Sequence, residues 1–409
     1  MIYMDFTFID GGVTAAKGFT AAGIHCGIRK NRDKKDLALL VSDRPAETAA
    51  VYTKNLVIGA PCTVTKQHLA DNTARAIICN SGIANTCAAD GIEKAVAMCD
   101  MTAKALGIDT KDVLVASTGV IGPSINLMPI EQGLPSLTAA LSVQGHTDAA
   151  QSIMTTDTAV KEFSLQFILG DRVCTMGGMA KGSGMIAPNM ATMLCFITTD
   201  AAIDTPLLKK ALADVADETF NMMSIDGDTS TNDMLILMAN GAADNPVVKD
   251  NNADYEVFTA ALHALCVKLC RALAADGEGA TKLLECRVSG GATKQDARLV
   301  AKSVISSSLL KSAMFGADAN WGRVLCAIGY SGASLSPNGV NVAFRSSAGS
   351  VNVCENGAGI EFSEEKAKTV LSQKEIIIDI LLSDGGSQST AWGCDLTYDY
   401  VRINGDYRS

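Results

Sequence analysis

Short runs of mostly apolar residues recur along the chain, at 37–41, 75–79, 113–116, 163–169, 193–199, 234–238, 340–344 and 375–382. Each is too short for a stable helix, and together they predict buried strands. Between them lie stretches with helical spacing at 92–106, 130–143, 255–275 and 295–310. Another helix is signalled after Asp204, a plausible N-cap with Pro206 in the first turn, where Leu207, Leu208, Ala211, Leu212, Val215 and Ala216 share one face. Strand, polar turn, helix is an α/β grammar. A last segment, 396–404, alternates in the manner of a strand, and the pair Gly290 and Gly291 marks an expected boundary between a domain of 1–290 and one of 291–409.

Composition narrows the class. The 409 residues are 48% apolar and 19% charged, enough for a substantial core. A net charge of -10 speaks against a nucleic-acid or anionic-membrane partner. The N-terminal residues have neither a signal-peptide nor a transit-peptide pattern, and no run approaches the ~18 consecutive apolar residues of a membrane span, so a soluble, cytoplasmic protein is expected. The 13 cysteines are odd in number and form no CxxC pair; Cys266 and Cys270 sit at core spacing among leucines. They read as buried thiols, and with four scattered histidines no metal site is expected.

The segment 177–200, GGMAKGSGMIAPNMATMLCFITTD, carries the candidate chemistry. A glycine-rich loop passes through Pro188 and Asn189 into an apolar run, so Thr192 stands where loop meets strand. A threonine there can attack the carbonyl of Ala191, cut the chain, and keep a free amine beside its own Oγ. That amine, with an ordinary pKa of about 7.7–8.0, can act as the base near pH 7. Taken alone, the pattern favours a core strand behind a loop. Gly182, Gly184 and Ala187 do not make a dinucleotide fingerprint, because that motif opens a helix, and Lys181 falls before the second glycine, against the P-loop order. Ser117 to Gly122, STGVIG, reads either as a plain turn or as a loop whose N-H groups face an oxyanion. The polar loop at 226–233 lacks the calcium-loop pattern.

GGVTAAKGF, NSGIANTC, STGVIG, MTTDT, MAKGSGMIAPNMATML, DGDTSTND, DGEGATK, GADANWGRV and YVRINGDYRS occur in the order and at the distances seen in the ornithine acetyltransferase (glutamate N-acetyltransferase) family, which the chain resembles over essentially its whole length. The resemblance implies a layered α/β/β/α sandwich of the N-terminal-nucleophile type with a smaller C-terminal α/β domain. It implies cleavage between Ala191 and Thr192, an α2β2 heterotetramer, and a Thr192 nucleophile that moves acetyl from N-acetylornithine to glutamate through a ping-pong acetyl-enzyme. No cofactor is implied; acetyl-CoA is a candidate second donor. Thr118 and Gly119 match the oxyanion pair, and Lys181, Thr192, Glu278, Asn404 and Ser409 match substrate contacts, with either Thr155 or Thr158 of MTTDT beside them. The charges suggest that Lys181 meets a carboxylate and Glu278 an amine. Alternatives from other classes are an N-terminal-nucleophile amidohydrolase or aminopeptidase, and a non-catalytic binding protein with an intact chain.

Overall fold

The computed structural model of the chain describes residues 6–187 and 193–406. It is a mixed α/β structure built on a nine-stranded and a seven-stranded sheet, as the alternating pattern predicts. In the larger sheet the central strands are Arg172–Lys181, Leu194–Thr199, Met234–Ala239 and Leu37–Tyr52, followed by Thr73–Ile83 and Val113–Val120. Neighbours Leu194–Thr199 and Met234–Ala239 run parallel.

The unbroken apolar runs have a simple cause. Cys195, Ile197, Leu235 and Leu237 enter one hydrophobic cluster, whereas Leu194, Phe196, Met234, Ile236 and Met238 enter another. Successive strand residues face opposite sides. A sheet covered on both faces therefore selects apolar residues at every position.

Helix Ala253–Ala275 touches strands of both sheets. By length and composition alone its 23 residues could cross a membrane. Here Phe258, Leu262, Leu265, Leu269 and Leu273 are buried in the main core. Full burial of one such side chain stabilises by about 1.5–3 kcal/mol.

The smaller sheet has Leu283–Gly291 inside it, between Glu375–Leu381 and Ser387–Cys394. Its first long strand thus begins at Leu283, and Gly290 and Gly291 end that strand instead of preceding the sheet. The two-residue strand Met223–Ser224 also joins this sheet, pairing with Ser387–Cys394.

Two sequence expectations are corrected. Residues 398–406 form the helix Tyr398–Asp406, not a strand. The apolar alternation did not report burial, because Tyr398 and Val401 are exposed. The helical stretch expected at 295–310 is two helices, Lys294–Ser306 and Ser308–Phe315, because Ser307 is extended and caps the second.

Candidate functional site

Lys181 ends one strand of the larger sheet and is paired in register with Leu194, which is in turn opposite Met234. Met193 and Asp233 therefore enter the sheet side by side, and the Met234 N-H donates to the Met193 carbonyl at 2.9 Å. Thr118 comes from a different place in the sheet. Rather than lying in a loop, it belongs to the strand Val113–Val120, opposite Ser81 on the parallel neighbour. Asn232 ties the two regions together: its Nδ2 donates to the carbonyls of Ala84 at 2.5 Å and Ser117 at 3.0 Å.

A cavity of about 20 Å³ results, lined by Thr118, Lys181, Met193, Ser230, Asn232 and Asp233. The Lys181 ammonium donates to Thr118 Oγ1 at 2.9 Å. Burial pushes the Lys181 pKa down, opposed by the carboxylates of Asp157 and Asp233. Burial likewise pushes the Asp233 carboxyl well up, opposed by Lys181. Next to Thr118, Gly119 has φ +130°, and a Cβ there would lie 2.3 Å from the Gly82 carbonyl carbon. No other residue fits without moving the neighbouring strand.

The chain ahead of 188–192 is held by the polar loop 226–233. Asp226 accepts from the N-H groups of Met185 at 2.6 Å and Ile186 at 2.8 Å, and the Thr229 hydroxyl donates to the Ala187 carbonyl at 2.8 Å. Met185 has φ +56° without being glycine. Positive φ in a bulky residue persists only where the surroundings impose it.

MTTDT lies on the other side of Lys181. Asp157 accepts from Lys161 Nζ at 2.6 Å, from the Gly182 N-H at 2.7 Å and from the Thr155 N-H at 2.9 Å. Lys161 also donates to Asp276 at 2.5 Å. Burial raises the Asp157 pKa, yet Lys161, Lys181 and the backbone donors outweigh it and hold the carboxyl below the usual carboxylate range. The Thr158 hydroxyl is committed to Asp276. The Thr155 hydroxyl makes no hydrogen bond among the described residues, which leaves it the freer of the two candidates.

Glu278 approaches from the loop after helix Ala253–Ala275. A Cβ on Gly184 would lie 2.5 Å from the Glu278 carboxyl, so glycine at 184 leaves room for it. Asn404 donates to Glu278 Oε2 at 2.7 Å. Its helix, Tyr398–Asp406, docks at Gly279 (φ +68°), where a Cβ would meet the Tyr400 N at 2.6 Å. The C-terminal segment thus returns to this side of the molecule. Burial, followed by Asp226, Glu278 and Asp228, pushes the Tyr400 phenol up.

The structure brings together Thr118, Gly119 and Lys181 on one side, and Glu278 and Asn404 on the other, with Thr155 and Thr158 between. Ala191, Thr192 and Ser409 lie outside the described residues. Sequence reasoning passed over Asp157, Lys161, Asn232, Asp233, Asp276 and Tyr400. Asp276 had no local signal, since its partners Thr158 and Lys161 are distant in sequence; Lys161 stood four residues from Asp157, but only the fold adds Asp276 to that pair. Asp157 and Asp233 stood inside MTTDT and DGDTSTND and could have been singled out as acids within motifs. A concavity of about 710 Å³ lies elsewhere, among Arg271, Glu285, Arg287, Lys294 and Trp392. Its charges are paired, Arg271 and Arg287 with Glu285 and Lys294 with Glu218.

The ArgJ family profile matches residues 20–409. The chain belongs to the ArgJ family. It is 48% identical over 404 residues to the arginine biosynthesis bifunctional protein ArgJ of Symbiobacterium thermophilum, covering 98% of this chain and 100% of the relative. Against ArgJ 1 of Clostridium acetobutylicum the identity is 46% over 398 residues, 97% of each chain. A crystal structure of the bifunctional protein ArgJ from Bacillus halodurans matches at 45% identity and a TM-score of 0.50, over 52% of this chain and 98% of the solved one. As an ArgJ protein, the chain is an acyltransferase of arginine biosynthesis.

Proposed function

We propose that the enzyme moves the acetyl group of N-acetylornithine to glutamate after cutting itself between Ala191 and Thr192. The observation that carries this reading is the cavity in which Thr118 and Lys181 meet Met193. Met193 is the residue peptide-bonded to Thr192, the residue assigned as nucleophile. Thr192 Oγ attacks the acetyl carbonyl while its α-amine accepts the proton. The developing oxyanion is met by the Thr118 hydroxyl and the Gly119 N-H, a type of donor pair whose members are each worth about 10²–10³ in rate. Ornithine leaves, glutamate enters, and the acetyl-Thr192 ester is attacked by the glutamate amine. That second attack regenerates the Thr192 hydroxyl.

Lys181 suits a substrate carboxylate and Glu278, held by Asn404, suits a substrate amine. Thr155 and Ser409 complete the proposed substrate contacts; Thr158, bound to Asp276, fits a structural role better. The B. halodurans chain is matched over 98% of its length by about half of this one. A separate chain of that size is what cleavage near the middle would produce, and two copies of each half give the proposed α2β2 assembly. The bifunctional name of the relatives fits acetyl-CoA as a second donor; no resident cofactor and a cytoplasmic location are further parts of the proposal.

Incubating the purified enzyme with N-acetylornithine tests the reaction. Ornithine release that requires glutamate is expected. Equal release without glutamate would indicate acyl transfer to water and contradict the reading.

A further inference from the structure

Asp233 is 2% exposed, and among the described residues its Oδ2 has no hydrogen-bond partner. Buried carboxylate oxygens are seldom left so, and one that is calls for an explanation from what it faces. Asp233 lines the small cavity together with Lys181 and Thr118. Burial pushes its carboxyl well up, and Lys181 and the hydroxyls of Ser230 and Thr53 oppose that shift by favouring the charged form. Lys181 in turn is surrounded by the carboxylates of Asp157 and Asp233, the ammonium of Lys161 and the thiol of Cys79. Asp157 already has Lys161 and two backbone donors for its charge. Among the described residues Asp233 has no cation at ion-pair distance; Lys181, which lines the same cavity, is the cation whose charge acts on it.

An ammonium can only donate a hydrogen bond. With Lys181 charged, Thr118 Oγ1 must accept from Nζ, which leaves the hydroxyl proton to point elsewhere as a donor. A neutral amine could accept instead, and the Thr118 proton would then be spent on Lys181. The charge on Lys181 therefore decides the direction in which Thr118 donates.

We propose that Asp233 is a positioning residue: its carboxylate keeps Lys181 an ammonium, and the ammonium turns the Thr118 hydroxyl outward as the oxyanion donor. This rests on the acyl-transfer role given to Thr118 above. Asp233 touches no substrate in this scheme; it acts through Lys181.

The isosteric variant Asp233→Asn tests the link in the full-length enzyme. Removing the negative charge favours the neutral amine, so the alkaline limb of the kcat profile is expected to move down by about one pH unit or more. KM below that limb should hold. The ¹⁵Nζ signal of Lys181, assigned by its absence in Lys181→Arg, is expected to titrate lower by the same amount. An unmoved Lys181 titration would overturn the proposal. In a Lys181→Arg background the side chain cannot lose its proton, so Asp233→Asn should move no limb; a limb that still moved would also overturn it. Should Asp233→Asn fail to fold, the unaltered enzyme decides: the carboxyl ¹³C signal of Asp233 and the Nζ signal of Lys181 are expected to respond over a common pH interval. Unlinked steps would contradict the proposal. The nuclear signals do not depend on turnover, so a shifted Lys181 in an enzyme without acetyl transfer would support the link while overturning the transfer reading.

Discussion

The two sides of the site are built differently. Thr118 and Lys181 sit on strands of a sheet covered on both faces, Met193 directly precedes one, and Thr118 and Met193 are themselves buried. Glu278 and Asn404 meet on a loop and on the helix Tyr398–Asp406, none of whose residues is buried. Side chains fixed in a close-packed sheet keep their positions through a reaction, whereas an exposed terminal helix has few apolar contacts to hold it. The sheet side is suited to the bond-making step and the helix side to gripping and releasing substrate. Damage to the first should appear in kcat, and damage to the second in KM.

The contrast can be broken most severely where the two sides join. Lys161 is 2% exposed and bonds both Asp157 and Asp276. Lys161→Met leaves two carboxylates without their cation and is expected to cost about 3–5 kcal/mol in urea unfolding. The same pair gives an acid dependence. Because the folded-state pKa of Asp157 is depressed, its contribution to stability is complete above the unfolded value of about 3.9 and is lost as pH falls through the lower folded value. Melting followed from pH 5 downward should therefore drop more steeply for the unaltered protein than for Asp157→Asn. Next in size, Thr118→Ala should lower kcat by about 10²–10³ with little change in KM and an unaltered melting temperature. Smallest, Asn404→Ala should raise KM about tenfold, the loss of one charge-assisted hydrogen bond, and leave kcat within about twofold. A fall in kcat for Asn404→Ala, or a KM effect alone for Thr118→Ala, would erase the division between the two sides.

Much of the sheet was legible in the sequence, because burial on both faces writes itself as continuous apolar runs at 37–41, 113–116 and 234–238. The C-terminal helix was not. Its position depends on Gly279 and Glu278, more than a hundred residues away, and its exposed Tyr398 and Val401 imitate the alternation of a strand. In the site, Thr118, Gly119 and Lys181 could be picked out because motif and resemblance pointed to them. STGVIG looked like a loop, however, since glycines and hydroxyls are common in turns; pairing with Thr73–Ile83 carries the strand on to Val120. The choice between Thr155 and Thr158 could not be made from one sequence, because it turns on the distant Asp276. Asp233 escaped for a similar reason: its meaning comes from Lys181 and Thr118, which the fold alone brings to the same cavity.

The central claim is that Thr192 becomes an N-terminal nucleophile, and the intact mass of the purified protein under denaturing conditions tests it most directly. Two chains with the masses of 1–191 and 192–409 are the expected result. A single folded chain of 409 residues would contradict it, since no free amine would then stand beside the Thr192 hydroxyl.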